Sequence, residues 1–98
     1  MIQRTLVLIK PDAVASGLTY KILQRFTTTG FTVVTTRCFT PTVEIVEAHY
    51  QKKLLECPEL RGDIVRYLTS GHLVAVILGR ANAVETARRI IGLLEDAP

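Results

Sequence analysis

Hydrophobic positions along the chain predict three β-strands. Residues 4–10 (RTLVLIK) have the composition of a strand that ends at the turn-forming pair Pro11-Asp12, and residues 6–9 within it are apolar without alternation. Residues 72–79 (HLVAVILG) form the most hydrophobic run, again without alternation, whereas residues 31–39 (FTVVTTRCF) carry the Thr and Arg side chains typical of an edge strand. Because non-alternating strands are buried on both faces, we expect the first and third strands to lie side by side mid-sheet.

A spacing of three to four residues between apolar positions predicts helices between these strands. The first helix has apolar residues at positions 18, 22, 23 and 26, and Gly30 supplies its C-terminal stop. Residues 40–42 (TPT) open a short helix through Tyr50, with Glu44 in its first turn, and a further helix follows the Cys57-Pro58 break.

The last two helices have recognisable faces. The helix after Pro58 has one apolar face until Ser70-Gly71 ends it, and that face consists of Leu60, Ile64, Tyr67 and Leu68. Asn82, with Glu85 three residues later, gives a start resembling a capping box. The predicted buried stripe of this last helix consists of Val84, Ala87 and Ile91.

The order of elements is β, α, β, two short helices, β, α. It predicts an α+β fold, the ferredoxin-like split βαβ sandwich with an antiparallel sheet, whose fourth strand is missing from this chain. We expect one domain over residues 1–98, cut short after the last helix, with an unpaired hydrophobic edge on the first strand.

Composition narrows the function classes. The chain has 98 residues, of which 48% are hydrophobic and 21% charged, enough for one modest core. Its longest aliphatic run, residues 73–78, is far shorter than the ~20 residues of a membrane span, so we expect a cytoplasmic protein without membrane contact.

Cys38 and Cys57 are expected to be reduced thiols, and no metal-binding residues are predicted. The net charge of +3 favours polyanionic partners. Because the basic residues are scattered along the chain, nucleotides are as plausible as nucleic acids.

Four segments resemble, in order and approximate spacing, the nucleoside diphosphate kinase family. They are residues 4–14 (RTLVLIKPDAV), 49–50 (HY), 67–71 (YLTSG) and 82–85 (NAVE), and the match extends to about Gly92. The resemblance implies a domain that moves the γ-phosphate of a nucleoside triphosphate to a nucleoside diphosphate. It implies two steps through a phosphohistidine, Mg²⁺ on the nucleotide phosphates, and a homo-oligomer built from dimers through the second strand and first helix.

The same resemblance assigns substrate-binding residues. Lys10 matches a lysine that contacts the transferring phosphate, Arg88 matches an arginine at the β-phosphate, and Tyr50 matches the tyrosine beside the catalytic histidine. Leu60, followed by Arg61, stands where the family has a pair of phenylalanines at the base. Because leucine has no π face for stacking, base binding is expected to be weak.

Each of these residues also has a structural interpretation. On composition alone, Lys10 is a solvated strand end, and Arg88 is one of two adjacent surface arginines. Tyr50 continues an apolar stripe from Val46, which favours packing as much as binding. Asp12 is interpreted as a turn former rather than a carboxylate with chemistry.

The phospho-acceptor histidine of the family has no counterpart here. Family members carry it in an Asn-then-His-Gly-Ser-Asp segment on or beyond the fourth strand, and these 98 residues contain no such segment. His49 precedes Tyr50 at a position that is not the nucleophile, and His72 stands where the family usually has proline. Leu94 replaces a threonine at the start of the loop over the nucleotide, and leucine donates no hydrogen bond. We therefore expect no catalytic residue and no activity of this chain alone.

Two alternatives stay open. The first is a noncatalytic module of the same fold that binds nucleotides or serves assembly. The second is an RNA-recognition domain, which shares the βαββαβ plan and a basic pI. That module needs aromatic residues on its third strand, and residues 72–79 have none. Nucleic acid is therefore the less favoured partner.

Overall fold

The computed structural model describes residues 1–95, with side-chain surroundings for residues 1–92. A three-stranded antiparallel sheet is covered by helices on both faces, and its strands lie in the order β1-β3-β2. The strands are β1 (Ile2–Ile9), β2 (Thr32–Phe39) and β3 (Leu73–Ala81). The helices are α1 (Pro11–Ala15), α2 (Thr19–Thr27), α3 (Val43–His49), α4 (Gln51–Glu56), α5 (Arg61–Leu68) and α6 (Ala83–Glu95), with a 3₁₀ turn at Pro58–Leu60. Within residues 1–95, no helix is both long and apolar enough to span a membrane.

β3 is the central strand, as its hydrophobicity predicted, and it pairs with both other strands. Its pairing with β1 runs from Ile2 opposite Ala81 to Ile9 opposite Val74. On its other side it pairs with β2, which lies at an edge, and the register shifts there between Val33 and Thr35. The α+β class and the antiparallel ferredoxin-like plan are thus confirmed.

The apolar run of β1 alone predicted a mid-sheet strand, which is wrong for the described residues, whereas the unpaired hydrophobic edge expected for this strand is found. No strand of residues 1–95 pairs with its outer edge, and the side chain of Leu6 is 46% exposed. Val7 and Ile9 point into the core under α2 and α6, while Leu8 packs against the opposite core. A non-alternating apolar run therefore indicates cover on two faces and does not require a neighbouring strand on each side.

The larger core lies between the sheet and helices α2 and α6. Val76 and Leu78 of β3 are fully buried, and Phe26 of α2 is 1% exposed. The Phe26 and Phe31 rings meet edge to face with centroids 5.5 Å apart. A Schellman motif produces this contact: the Phe31 amide donates to the Phe26 carbonyl at 3.2 Å, and Gly30 has a left-handed φ of +89°. Gly30 thus ends α2 as predicted.

A smaller core lies on the opposite face of the sheet. It is formed by Val46 of α3, Leu68 of α5 and Leu73 of β3, all buried. Thr42 caps α3, since its hydroxyl accepts a hydrogen bond from the Ile45 amide at 3.2 Å. This core fixes α3 and α5 against the sheet.

The buried face of α6 differs from its prediction. Ala83 and Ala87 are buried, whereas Val84 is 40% exposed. Asn82 has a left-handed φ of +56°, and its amide donates to the Glu85 carboxylate at 3.2 Å instead of accepting from the backbone. The buried stripe thus begins one residue earlier than predicted, at Ala83, while Ala87 and Ile91 pack in the core as predicted. Because α6 runs to Glu95, the predicted loop start at position 94 is helical, and the side chain there lies outside the described residues.

Two short helices were not predicted. Pro11 and Asp12 begin α1 instead of forming a turn, since proline suits the first helical position. α4 covers residues for which the sequence pattern predicts no element, and its first hydrogen bond runs from the Leu54 amide to the Tyr50 carbonyl at 2.9 Å. Elements of five and six residues are too short to show a helical period.

One side-chain contact joins α1 to α5: the Tyr67 hydroxyl donates a hydrogen bond to the Asp12 carboxylate. This bond lowers the pKa of Asp12 below its usual value. Burial, together with the same carboxylate, raises the pKa of Tyr67 to about 12. The pair is therefore an anion and a neutral phenol at neutral pH, and α1 is held beside the end of α5.

Removing Leu78 tests the position of the core. The Leu78→Ala substitution leaves a cavity under α2 and α6 and is expected to lower the free energy of unfolding by about 3 kcal/mol. Urea denaturation followed by circular dichroism measures this change. The matched control is Leu55→Ala, whose side chain is 78% exposed, with an expected loss below about 0.5 kcal/mol. Equal losses in the two variants would contradict the packing described above.

Removing the Tyr67 hydroxyl tests the link between α1 and α5. Tyr67→Phe is expected to lower the free energy of unfolding by about 1 kcal/mol at pH 7, because the carboxylate loses its donor. The pKa of Asp12 is lowered in the folded protein. Its contribution to the free energy of unfolding is therefore present above its unfolded pKa and is lost as pH falls through its folded pKa. Tyr67 has a raised pKa, so its contribution is complete below the ordinary value of 10 and is lost as pH rises towards about 12.

The stability difference between wild type and Tyr67→Phe should therefore be largest near neutral pH and shrink at both extremes. Denaturation curves from acid to alkaline pH measure it. Tyr20→Phe removes a hydroxyl from a residue that is 76% exposed and serves as the control. A constant difference across this range would refute the assigned bond.

Candidate functional site

Lys10 lies at the point where β1 leaves the sheet. Ile9 is the last residue of β1 to pair with β3, and Pro11 cannot continue the ladder because it has no amide hydrogen. The Lys10 carbonyl accepts from the Val14 amide at 3.1 Å and so begins α1. Its side chain is exposed, and the backbone on both sides of it is fixed.

Three of the four predicted substrate-binding residues line one groove of about 250 Å³. This lysine groove is formed by Lys10, Tyr50, Lys53, Leu60, Ile64, Tyr67 and Leu68. Lys10 comes from the end of β1, Tyr50 from the junction of α3 and α4, and Leu60 from the 3₁₀ turn. The structure therefore brings together residues from three separate parts of the chain.

The walls of the lysine groove have two characters. One part is apolar and consists of side chains from the 3₁₀ turn and α5: Leu60, Ile64 and Leu68. The other part has two ammonium groups and two phenols, and none of the lining residues is a carboxylate. Arg61, next to Leu60, pairs with Glu47 at 3.0 Å, so its charge is balanced outside the groove. The groove suits a ligand with a flat apolar part and a negatively charged part.

A second, larger groove of about 560 Å³ continues along β1. We call it the β1 groove, and it shares Lys10, Tyr50 and Tyr67 with the lysine groove. Its other lining residues are Leu6, Val7, Leu8, Ile9, Asp12, Ala13, Ile22, Phe26, His49 and Ile91. The two grooves meet at the end of β1, where the Tyr67 hydroxyl is held by Asp12.

Arg88, the fourth predicted residue, lines neither groove. It is exposed on α6, one turn before Ile91, which lines the β1 groove. Its neighbour Arg89 pairs with Glu85 at 3.3 Å. Of the two adjacent arginines, Arg89 is therefore held on the helix surface, while Arg88 is on the turn that leads to the β1 groove.

The two histidines have different surroundings. His49 lines the β1 groove together with Lys10, and its ring meets Tyr50 edge to face with centroids 4.9 Å apart. His72 lies at the start of β3, and its Nδ1 is 3.1 Å from the Thr40 hydroxyl. Neither ring lines the lysine groove.

Sequence reasoning missed three contributors to this region. Lys53 was not singled out because it is on α4, a helix that was not predicted. Tyr67 was assigned to an apolar face and Asp12 to a turn, but their side chains meet across 55 residues of chain. Spacing along the chain does not reveal such a contact. The one available signal was that Asp12 and Tyr67 both lie in segments that resemble the family, residues 4–14 and 67–71.

No cage for a metal ion is formed by protein side chains alone in the described part of the chain. There is no group of three or more His, Cys, Asp or Glu residues that could hold a metal.

The family model described as nucleoside diphosphate kinase matches residues 3–97. The chain is 40% identical over 90 residues to the nucleoside diphosphate kinase of Trichodesmium erythraeum, covering 92% of this chain and 59% of that protein. It is 33% identical over 90 residues to the one of Methanococcus maripaludis, covering 92% and 66%. The chain thus spans less than two thirds of the length of these relatives.

A solved structure shows the same likeness. The crystal structure of the Aquifex aeolicus nucleoside diphosphate kinase superposes with a TM-score of 0.80 at 31% sequence identity. The superposition covers 91% of this chain and 62% of that one. With a family model that matches nearly the whole chain, this places the protein in the nucleoside diphosphate kinase family.

Proposed function

We propose that this chain binds nucleoside di- and triphosphates through the lysine groove. The observation that carries the proposal is the convergence of Lys10, Tyr50 and Leu60 on one groove with an apolar and a cationic side. The ammonium of Lys10 supplies the point charge that a phosphate needs, and the Tyr50 phenol supplies a hydrogen-bond donor. Arg88 would act at the end of the phosphate chain, reached through the adjoining β1 groove.

The proposed site is expected to bind the nucleobase only weakly. Leu60 is half-buried and offers apolar contact without a π face. Aromatic stacking on a base contributes ~1–3 kcal/mol, so an aliphatic wall gives up a large part of the affinity. Phosphate recognition is therefore the dominant part of binding, and preference among bases is expected to be small.

We further propose that these 98 residues do not transfer phosphate alone. A phosphohistidine route needs an imidazole nitrogen facing the phosphorus while fixed cations neutralise the phosphoryl oxygens. His72 bonds Thr40 away from the lysine groove, and His49 packs on Tyr50 beside it. The chain is thus a binding domain of the family's kind, and Mg²⁺ arrives on the nucleotide phosphates.

Self-association through β2 is part of the proposal. β2 is an edge strand, and six of its eight side chains are exposed. An exposed edge presents unpaired backbone donors and acceptors that a second copy can pair with. A homo-oligomer built from such dimers is the assembly that this edge favours.

Replacing Lys10 tests the binding proposal. Lys10→Gln is expected to weaken ADP binding about tenfold, because the groove loses a charge that faces phosphate. Isothermal titration calorimetry at low ionic strength measures the dissociation constant. Lys21→Gln, an exposed lysine on α2, is the matched control and should bind as wild type does. Identical affinities for Lys10→Gln and wild type would contradict the proposed site, and tight binding of single-stranded RNA without a response to ADP would favour an RNA-binding module.

Incubation with γ-labelled ATP tests the absence of transfer. No acid-labile phosphate is expected on the protein, whereas the Trichodesmium erythraeum relative, treated alongside as the positive control, is expected to be labelled. His49→Asn and His72→Asn identify the acceptor if label is found. Stoichiometric labelling that disappears in either variant would overturn the proposal that the chain is inactive alone.

A further inference from the structure

We propose that Lys53 is a second phosphate-binding cation of the lysine groove and makes it selective for ligands with two or more phosphates. The inference rests on the proposed function and extends it to a residue that family resemblance does not assign. Lys53 lines the groove together with Lys10. The two lysines are 43 positions apart in the sequence, and the fold brings both to the wall of the groove.

The position of Lys53 on α4 explains why it faces the groove. Lys53 follows Tyr50 by three residues, and residues at that spacing share one side of a helix. Tyr50 also lines the groove, so both side chains lie on its wall. Lys52 is rotated by about 100° from this side and does not line the groove. Lys52 and Lys53 thus have the same charge, but only Lys53 lines the groove.

Charge balance favours a phosphate ligand between the lysines. Among the side chains of residues 1–92, ion pairs join Arg61 to Glu47, Arg66 to Asp63, and Arg89 to Glu85. Lys10 and Lys53 take part in none of these pairs. The lining residues of the groove include two lysines and no carboxylate. One carboxylate, Asp12, is bonded to the hydroxyl of the lining residue Tyr67, and the charge of Lys10 helps to lower its pKa. Two ammonium groups against this one carboxylate leave a net positive charge, which attracts an anion that enters the groove.

The same charge count defines the class of ligand. A diphosphate or triphosphate chain is long enough to offer separate oxygens to two ammonium groups, whereas a monophosphate offers one charged group. A nucleoside offers none and depends on the apolar wall formed by Leu60, Ile64 and Leu68. The contribution of Lys53 should therefore grow from adenosine through AMP to ADP.

A matched pair of variants tests this assignment. Lys53→Gln is expected to weaken ADP binding about fivefold and AMP binding about twofold, with adenosine unchanged. Lys52→Gln removes the same charge from the next residue and should change ADP affinity by about twofold at most. Lys53→Arg keeps the positive charge and should restore ADP affinity to nearly the wild-type value. Titration calorimetry with each ligand provides the values, and circular dichroism verifies that every variant is folded.

Failure of this inference is distinguishable from failure of the binding proposal. If ADP binds and Lys10→Gln weakens it while Lys53→Gln behaves like Lys52→Gln, Lys53 is not a phosphate ligand and the groove proposal stands. Equal losses for adenosine, AMP and ADP in Lys53→Gln would also overturn the role in phosphate selectivity. If wild type does not bind ADP, both the proposed function and the role of Lys53 are refuted.

Discussion

The antiparallel pairing of β1 with β3 determines where the proposed site can form. β3 is apolar on both faces and is held between two helical layers, so its position in the sheet is fixed by burial. The register puts Ile9 opposite Val74 as the last pair, and Pro11 then ends the ladder. Lys10 is therefore the first side chain outside the sheet, and a slip of one residue would turn it to the other face.

The elements around this point complete the groove through ordinary packing. Val46 and Leu68 bury α3 and α5 in the smaller core, which brings Tyr50 and Tyr67 to the end of β1. The Tyr67 hydroxyl then bonds to Asp12 in the first turn of α1. Packing on one face of the sheet and a hydrogen bond at the end of β1 thus both position Tyr67 at the groove.

Much of this arrangement could be predicted from the sequence. The three strands, the edge position of β2 and the stop at Gly30 follow from strong local signals, since long apolar runs and a left-handed glycine have few alternatives. The apolar run of β1 did not by itself predict its position, because burial of two faces and pairing on two edges give the same run; its unpaired edge was predicted from the order of the elements. The entry into α6 could not be predicted either, because Asn82 has a left-handed backbone, which an asparagine in the sequence permits but does not require.

The residues of the candidate site could be predicted only in part. Lys10, Tyr50 and Leu60 were found through resemblance, and the structure places them on one groove. Lys53 and the pair of Asp12 and Tyr67 depend on short helices and on a contact between distant segments, which no periodicity encodes. The placement of Arg88 on the turn before Ile91, outside both grooves, likewise depends on how α6 is rotated.

If the lysine groove binds nucleotides and these residues transfer no phosphate alone, as proposed, the chain separates two parts of phosphoryl-transfer chemistry. Fixed positive charges act on a bound phosphate chain in the ground state and again when charge shifts during transfer, so they can serve binding by themselves. The covalent step requires a nucleophile in addition. A chain that keeps the lysines but has no imidazole in the groove would therefore bind the family's ligands without turning them over. With an aliphatic base wall, that affinity would be mainly electrostatic and would fall steeply with ionic strength.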